Sequence, residues 1–285
     1  MVIAIDGLSL GAIYALIALG YTMVYGIAKM LNFAHGDVIM VGAYMIYTLC
    51  TLTWTTGSLP IWAGALIAFV VSIVVCTLLG MVNEKVAYKP LRGASPLAAL
   101  ITAIGVSYLL QGIAQLIWGA EQRSISILDR LGTVRVGTVA IRWSSIITVV
   151  CGAILMIGLT LFVKKTRTGR AMLAVSEDKG AAQMMGINVN KIVSVTFAIG
   201  SGLAAIAGVL LCSAYPTLMP TTGSLPGIKA FTAAVFGGIL LGVIEILARA
   251  YISSELADAI VFGVLIVVLI FRPTGLLGKQ IHEKV

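Results

Sequence analysis

Lys164–Lys191 reads KKTRTGRAMLAVSEDKGAAQMMGINVNK and carries six of the chain's nineteen Lys and Arg residues. The stretches on either side, Trp143 to Val163 and Ile192 to Ala214, contain no charge. Each is long enough to cross about 30 Å of hydrocarbon at roughly 1.5 Å per helical residue. A basic connection between two such segments marks its own side of the membrane as cytoplasmic. The sign and side of every other connection follow from this one.

Working outward, apolar segments fall near 7–28, 38–53, 60–82, 97–119, 143–163, 192–214, 228–248 and 256–271. Of 285 residues, 60% are hydrophobic and only 11% charged, whereas a water-soluble domain needs about 25% charged residues to solvate its surface. The expected fold is therefore an all-α, polytopic membrane bundle of about seven or eight segments, forming one transmembrane domain over 1–285 with the loop 164–191 inside it. The formal net charge of +8 lies in the connections, where it sets orientation, and does not imply nucleic-acid binding. Gly7 to Gly26 lacks the flanks of a cleaved signal and reads as a retained helix. Cys50, Cys76, Cys151 and Cys212 sit in or beside apolar runs without metal-ligand spacing and read as packing residues.

With 164–191 inside, the loop bearing Lys85, Lys89 and Arg92 is also inside. The loop 120–142 and the N-terminus are then outside. Arg272, Lys279 and Lys284 belong inside, which requires that 228–248 not make a complete crossing. At the centre of GIKAFTAAVFGGILLGVIEIL (227–247) stands Gly237-Gly238, and a glycine pair permits a broken or re-entrant element where protein covers the freed backbone groups. Small residues four apart (Gly7 and Gly11; Gly200, Ala204 and Gly208; Gly238 and Gly242) predict close helix packing. GLSLGAI at 7–13 echoes GILLGVI at 238–244, a trace of internal duplication.

Within the first polar break, Asn32 and His35 are equally readable as a polar path or as helix-end chemistry, and Asp37 reads as a cap. Gln111 and Gln115, four apart on one helix, either meet a polar permeant or bond between helices. Glu245, inside an apolar run, is expected to pair with Arg249 one turn away. In the basic loop Ser176 is the expected cap of a helix bearing Gly180, Ala181, Ala182, Met184 and Met185, with Gly186 ending it. Exposed methionines on such a helix call for a covering partner. Gly278-Lys279 is followed by Gln280 and makes no phosphate-binding loop. No nucleophile, base or metal set converges, and no cofactor is expected.

GLSLGAIYALIALGYTMVYGIAKMLNFAHGDVIMVGAY (7–44) and RTGRAMLAVSEDKGAAQMMGINVNKI (167–192) resemble bacterial high-affinity branched-chain amino acid permeases, of the first permease subunit type. YPTLMPTTGSLPGIKAFTAAVFGG (215–238) and VFGVLIVVLIFRPTGLLGK (261–279) extend the likeness over essentially the whole chain. The resemblance implies the membrane subunit of an ATP-driven importer in the bacterial inner membrane, moving leucine, isoleucine or valine. It also implies a second related permease, two cytoplasmic ATPase subunits and a periplasmic binding protein. In this family a Glu-Ala-Ala-x-x-x-Gly motif docks into the ATPase, and Gly180-Ala181-Ala182-x-x-x-Gly186 fits it with Gly180 in place of the acid. Family members carry a Pro-Gly-containing turn after the glycine pair. Here Gly238 leads straight into Ile239, so 228–248 becomes either one continuous crossing or a tight hairpin. The rival class is an ion-coupled secondary transporter with Glu245 or His35 as its proton site.

Overall fold

The computed structural model describes residues 2–57, 60–124, 132–136, 139–236, 238–254 and 256–271. Among the described residues, six helices are long and apolar enough to cross a membrane. They are α1 (Val2–Ala28), α2 (His35–Thr56), α3 (Ile61–Asn83), α4 (Pro96–Trp118), α5 (Trp143–Lys165) and α8 (Val189–Ala214). A π turn and a 3-10 turn carry α3 on to Leu91. Between α5 and α8 lie two short helices, α6 (Arg167–Glu177) and α7 (Lys179–Met184). After α8 come α9 (Ser224–Phe236), α10 (Gly238–Tyr251) and α11 (Ala257–Phe271). A small antiparallel hairpin, β1 (Thr133–Val136) with β2 (Val139–Arg142), precedes α5. α2 is longer than its apolar run of 38–53 suggested, because polar His35, Gly36 and Asp37 are buried within its first turn.

The connections sort into two ends, and the sorting agrees with the charge reckoning. At one end, Arg142 of the hairpin pairs with Asp6 at 3.3 Å and Ser145 Oγ donates to Asp6 at 2.9 Å. Arg123 and Leu218 exchange backbone hydrogen bonds of 2.8 Å. At the other end, Arg92 bonds Asn190, and Lys179 Nζ donates to the Ala28 carbonyl at 2.9 Å. The start of α1, Arg123, the β1–β2 strands and 215–223 therefore share one side, while 84–95 and 164–191 share the opposite one. The tail, with Arg272, Lys279 and Lys284, lies outside the described residues.

The glycine-rich stretch 228–248 is broken, as charge balance required. α9 stops at Phe236 and α10 starts at Gly238; Gly237 lies outside the described residues. Lys229 Nζ nonetheless reaches Glu245 Oε2 at 2.8 Å. A straight helix would hold those two positions about 24 Å apart, so the chain folds back. This resolves the sequence alternatives in favour of the hairpin. α10 then packs on α1, where a Cβ at Gly242 would overlap the Gly11 backbone and one at Gly7 would come to 3.2 Å from the Val243 Cα. The echoing heptapeptides thus lie against one another. Since backbone cannot move aside as a side chain can, Gly242→Val is expected to cost about 1–3 kcal/mol, read as a lower unfolding temperature in detergent.

Candidate functional site

Along α1 three levels of the molecule can be followed. Leu10 and Tyr14 border a cavity of ≈ 310 Å³ whose rim includes Thr217, Met219 and Thr221. These rim residues follow the end of α8, on the same side as the N-terminus. Tyr25 and Ala28 border a second cavity of ≈ 580 Å³, with Lys29, Arg92, Lys179 and Asn190. That one opens beside α7, at the other side. Tyr14 and Tyr25 are separated by roughly 16 Å of helix.

Between the cavities the chain closes into a waist. Gly36 at the start of α2 touches Gly223 and Gly227 at the start of α9 so closely that a Cβ on Gly223 would overlap the Gly36 carbonyl. The His35 ring packs edge-on against Tyr21 with centroids 4.5 Å apart. His35 Nε2 is buried without a hydrogen-bond partner. Asn32 Oδ1 accepts from Tyr88 Oη at 2.7 Å. Asp37 does not cap its helix. Its Oδ1 accepts from Gln111 Nε2 at 2.9 Å, and Gln111 also donates to Ser107 Oγ at 3.2 Å and Ser224 Oγ at 3.1 Å. The cap reading fails because helix α2 begins two residues earlier, placing Asp37 in the first turn, where its carboxylate reaches α4. Asn32, His35 and Gln111 therefore gather at the waist. Gln115, one turn further along α4, is exposed and stands apart from them.

Above the waist four charges converge. Glu245 is fully buried and accepts from Tyr14 Oη at 2.8 Å, Lys229 Nζ at 2.8 Å and Arg249 Nη2 at 2.6 Å. Lys229 also pairs with Asp258 Oδ1 at 2.6 Å. The expected Glu245–Arg249 pair is present, within a larger network. With three donors on it, Glu245 stands at the centre of that network. Sequence reading missed Lys229, Asp258 and Tyr14. A signal existed for the first: a lysine inside the apolar run 228–248 is costly unless paired.

The basic loop forms the expected short helix with a different cap. α6 runs through Ser176, whose hydroxyl donates back to the Leu173 carbonyl at 2.7 Å, a local bond that withdraws it from capping. Asp178 caps α7 instead, accepting from the Gly180 and Ala181 amides at 2.7 and 3.0 Å. Gly186, at φ +81°, ends it in the left-handed region that glycine enters without a Cβ penalty. Ala182 is buried in a cluster with Ile27, Met172, Val175 and Val193, whereas Met184 and Met185 are 85% and 82% exposed. Lys179 fastens α7 to the end of α1. Desolvation and then the Arg92 and Lys29 charges hold its ammonium below the usual lysine range.

A spanning bundle with a cavity at either end, a closed waist and a projecting short helix defines a multi-pass membrane permease. The chain belongs to the family of branched-chain amino acid transport system permease components, whose sequence profile matches residues 3–269. It is 43% identical over 296 residues to the high-affinity branched-chain amino acid transport system permease protein BraD of Pseudomonas aeruginosa, covering 99% of this chain and 96% of the relative. It is 39% identical over 295 residues to the permease protein LivH of the corresponding system of Escherichia coli K12, covering 98% and 96%. The ribose import permease protein RbsC of Haemophilus influenzae is 27% identical over 249 residues, covering 80% of this chain and 72% of the relative. No solved structure matches the chain.

Proposed function

We propose that this chain, as a single permease domain in a bacterial inner membrane, is one of two membrane subunits of an ATP-driven importer for leucine, isoleucine and valine. The chain has no phosphate-binding loop, so the free energy comes from two cytoplasmic ATPase subunits, and a periplasmic protein delivers the amino acid. One observation carries the reading. α7 is seated on the membrane helices through Ala182 and Lys179 while presenting Met184 and Met185 outward. A helix anchored on one face and apolar on the other transmits a partner's movement. Gly180, Ala181, Ala182, Met184, Met185 and Gly186 form the coupling surface, and the pull reaches α1 directly through the Lys179–Ala28 bond. The full-length similarity to BraD and LivH, named for branched-chain amino acid transport, supports the choice of substrate.

At the waist, Asn32, His35 and Gln111 are the pathway residues that part when the ATPases close; Gln115 stands on the outer face of α4, where a second permease subunit would meet it. The test is reconstitution of the chain with a related permease, two ATPases and a binding protein in vesicles. Uptake of leucine that needs ATP and all partners is the expected result. Uptake by the purified chain alone, driven by a proton gradient, would overturn the proposal.

A further inference from the structure

The upper cavity holds a charge arrangement that helix packing alone does not require. Among the described residues its four charged side chains sum to zero, and they are layered. Lys229 and Glu245 are buried, with side-chain exposures of 3% and 0%, whereas Arg249 and Asp258 are 35% and 40% exposed. Each exposed group is braced from beneath by a buried partner of opposite sign: Arg249 on Glu245 at 2.6 Å, and Asp258 on Lys229 at 2.6 Å. One cation and one anion are thus offered to the opening, each fixed in place and each with bonding capacity left. A guanidinium carries five donors and a carboxylate two oxygens. Leu10, Leu211 and Leu225 supply apolar wall beside the charged and hydroxyl-bearing side chains. The volume of ≈ 310 Å³ falls at the small end of ligand pockets. The rim, Thr217 to Thr222, stands at the far end of the roughly 39 Å long α8 from α7,. It therefore faces the side from which an importer receives its cargo.

We propose that this cavity between α1, α8, α9, α10 and α11 is a reception site for zwitterionic α-amino acids with apolar side chains. The carboxylate pairs with Arg249, the ammonium with Asp258, and the side chain lies against the leucines. Because the site is neutral, a neutral zwitterion enters without leaving an uncompensated charge. A cargo bearing only one of the two charges unbalances the site and is disfavoured. The proposal rests on the import reading above and adds where, and by what chemistry, the cargo first meets the membrane subunit.

The experiment uses the complete reconstituted transporter with cysteine placed at Thr221, on the rim and outside the charge network. The rate of its modification by a membrane-impermeant thiol reagent is measured without nucleotide and in an ATP-trapped state. The unsubstituted chain gives the background from native cysteines. Leucine at about ten times its Kd is expected to slow modification roughly tenfold in one of the two states. 4-Methylpentanoate and 3-methylbutylamine, each lacking one charge, are expected to protect far less. Adding Asp258→Asn should abolish the protection. Should Thr221→Cys fail to assemble, Leu225→Cys probes the same opening. No protection in either state, or equal protection by the singly charged analogues, overturns the proposal. If leucine protects but the unsubstituted transporter takes up none with ATP, the import reading fails while the reception site stands.

Discussion

Replacing Glu245 by alanine is expected to destabilise the protein by about 3–5 kcal/mol, because it removes the carboxylate that pairs with Arg249 and one of the two that neutralise buried Lys229. Lys229 and Arg249 both donate to this carboxylate, and Tyr14 loses its acceptor as well. Glutamine keeps the shape and an acceptor oxygen, so Glu245→Gln should fall between alanine and the parent. The double variant Lys229→Met with Glu245→Met removes one charge of each sign. It should recover part of the loss, since two apolar side chains need no counterion. Unfolding temperatures in detergent of the parent, the single variants Lys229→Met and Glu245→Met, and the double variant form a cycle whose coupling energy measures the Lys229–Glu245 pair directly. Additive effects of the two single changes would mean that the ion pair contributes nothing to the fold-back of α10 on α9.

A second large effect is expected at α7. Ala182 is only 4% exposed and packs beneath α7 among Ile27, Val175 and Val193. Ala182→Glu forces a carboxylate into that cluster, at a cost of several kcal/mol if α7 stays seated. Unseating is the cheaper outcome. ATPase subunits should then no longer copurify, and ATP-driven uptake should fall by roughly two orders of magnitude, the equivalent of about 2.8 kcal/mol of lost coupling. Ala174→Glu, on the exposed face of α6, serves as a control for added charge in the same loop. Met184→Glu with Met185→Glu separates seating from docking. Both side chains are exposed, so the permease should keep its unfolding temperature and still lose the ATPases. Copurification that survives all of these changes would place the coupling surface elsewhere.

Much of this protein is written locally. Windows of apolar residues bounded by charge gave the crossings, and the excess of lysine and arginine in 164–191 gave their sense. The shortage of one crossing located the break at Gly237-Gly238. The short helix α7 was equally legible, since Gly180-Ala181-Ala182 and Gly186 bracket it whatever surrounds it. Its cap was assigned to Ser176 rather than Asp178 because a serine hydroxyl can bond backward or forward, and the choice depends on where α6 ends.

Hydropathy and charge asymmetry act on each segment separately as it meets lipid or water, and the order of residues alone carries them. The convergence of Tyr14, Lys229, Glu245 and Asp258 is of another kind. Tyr14 and Glu245 stand 231 positions apart, and they meet only because α10 folds back beside α1 through Gly11 and Gly242. Likewise Asp37 finds Gln111 rather than a backbone amide because α2 and α4 lie side by side. Which buried charge faces which is settled by the three-dimensional packing, since in a low-dielectric interior the whole set must be neutralised together.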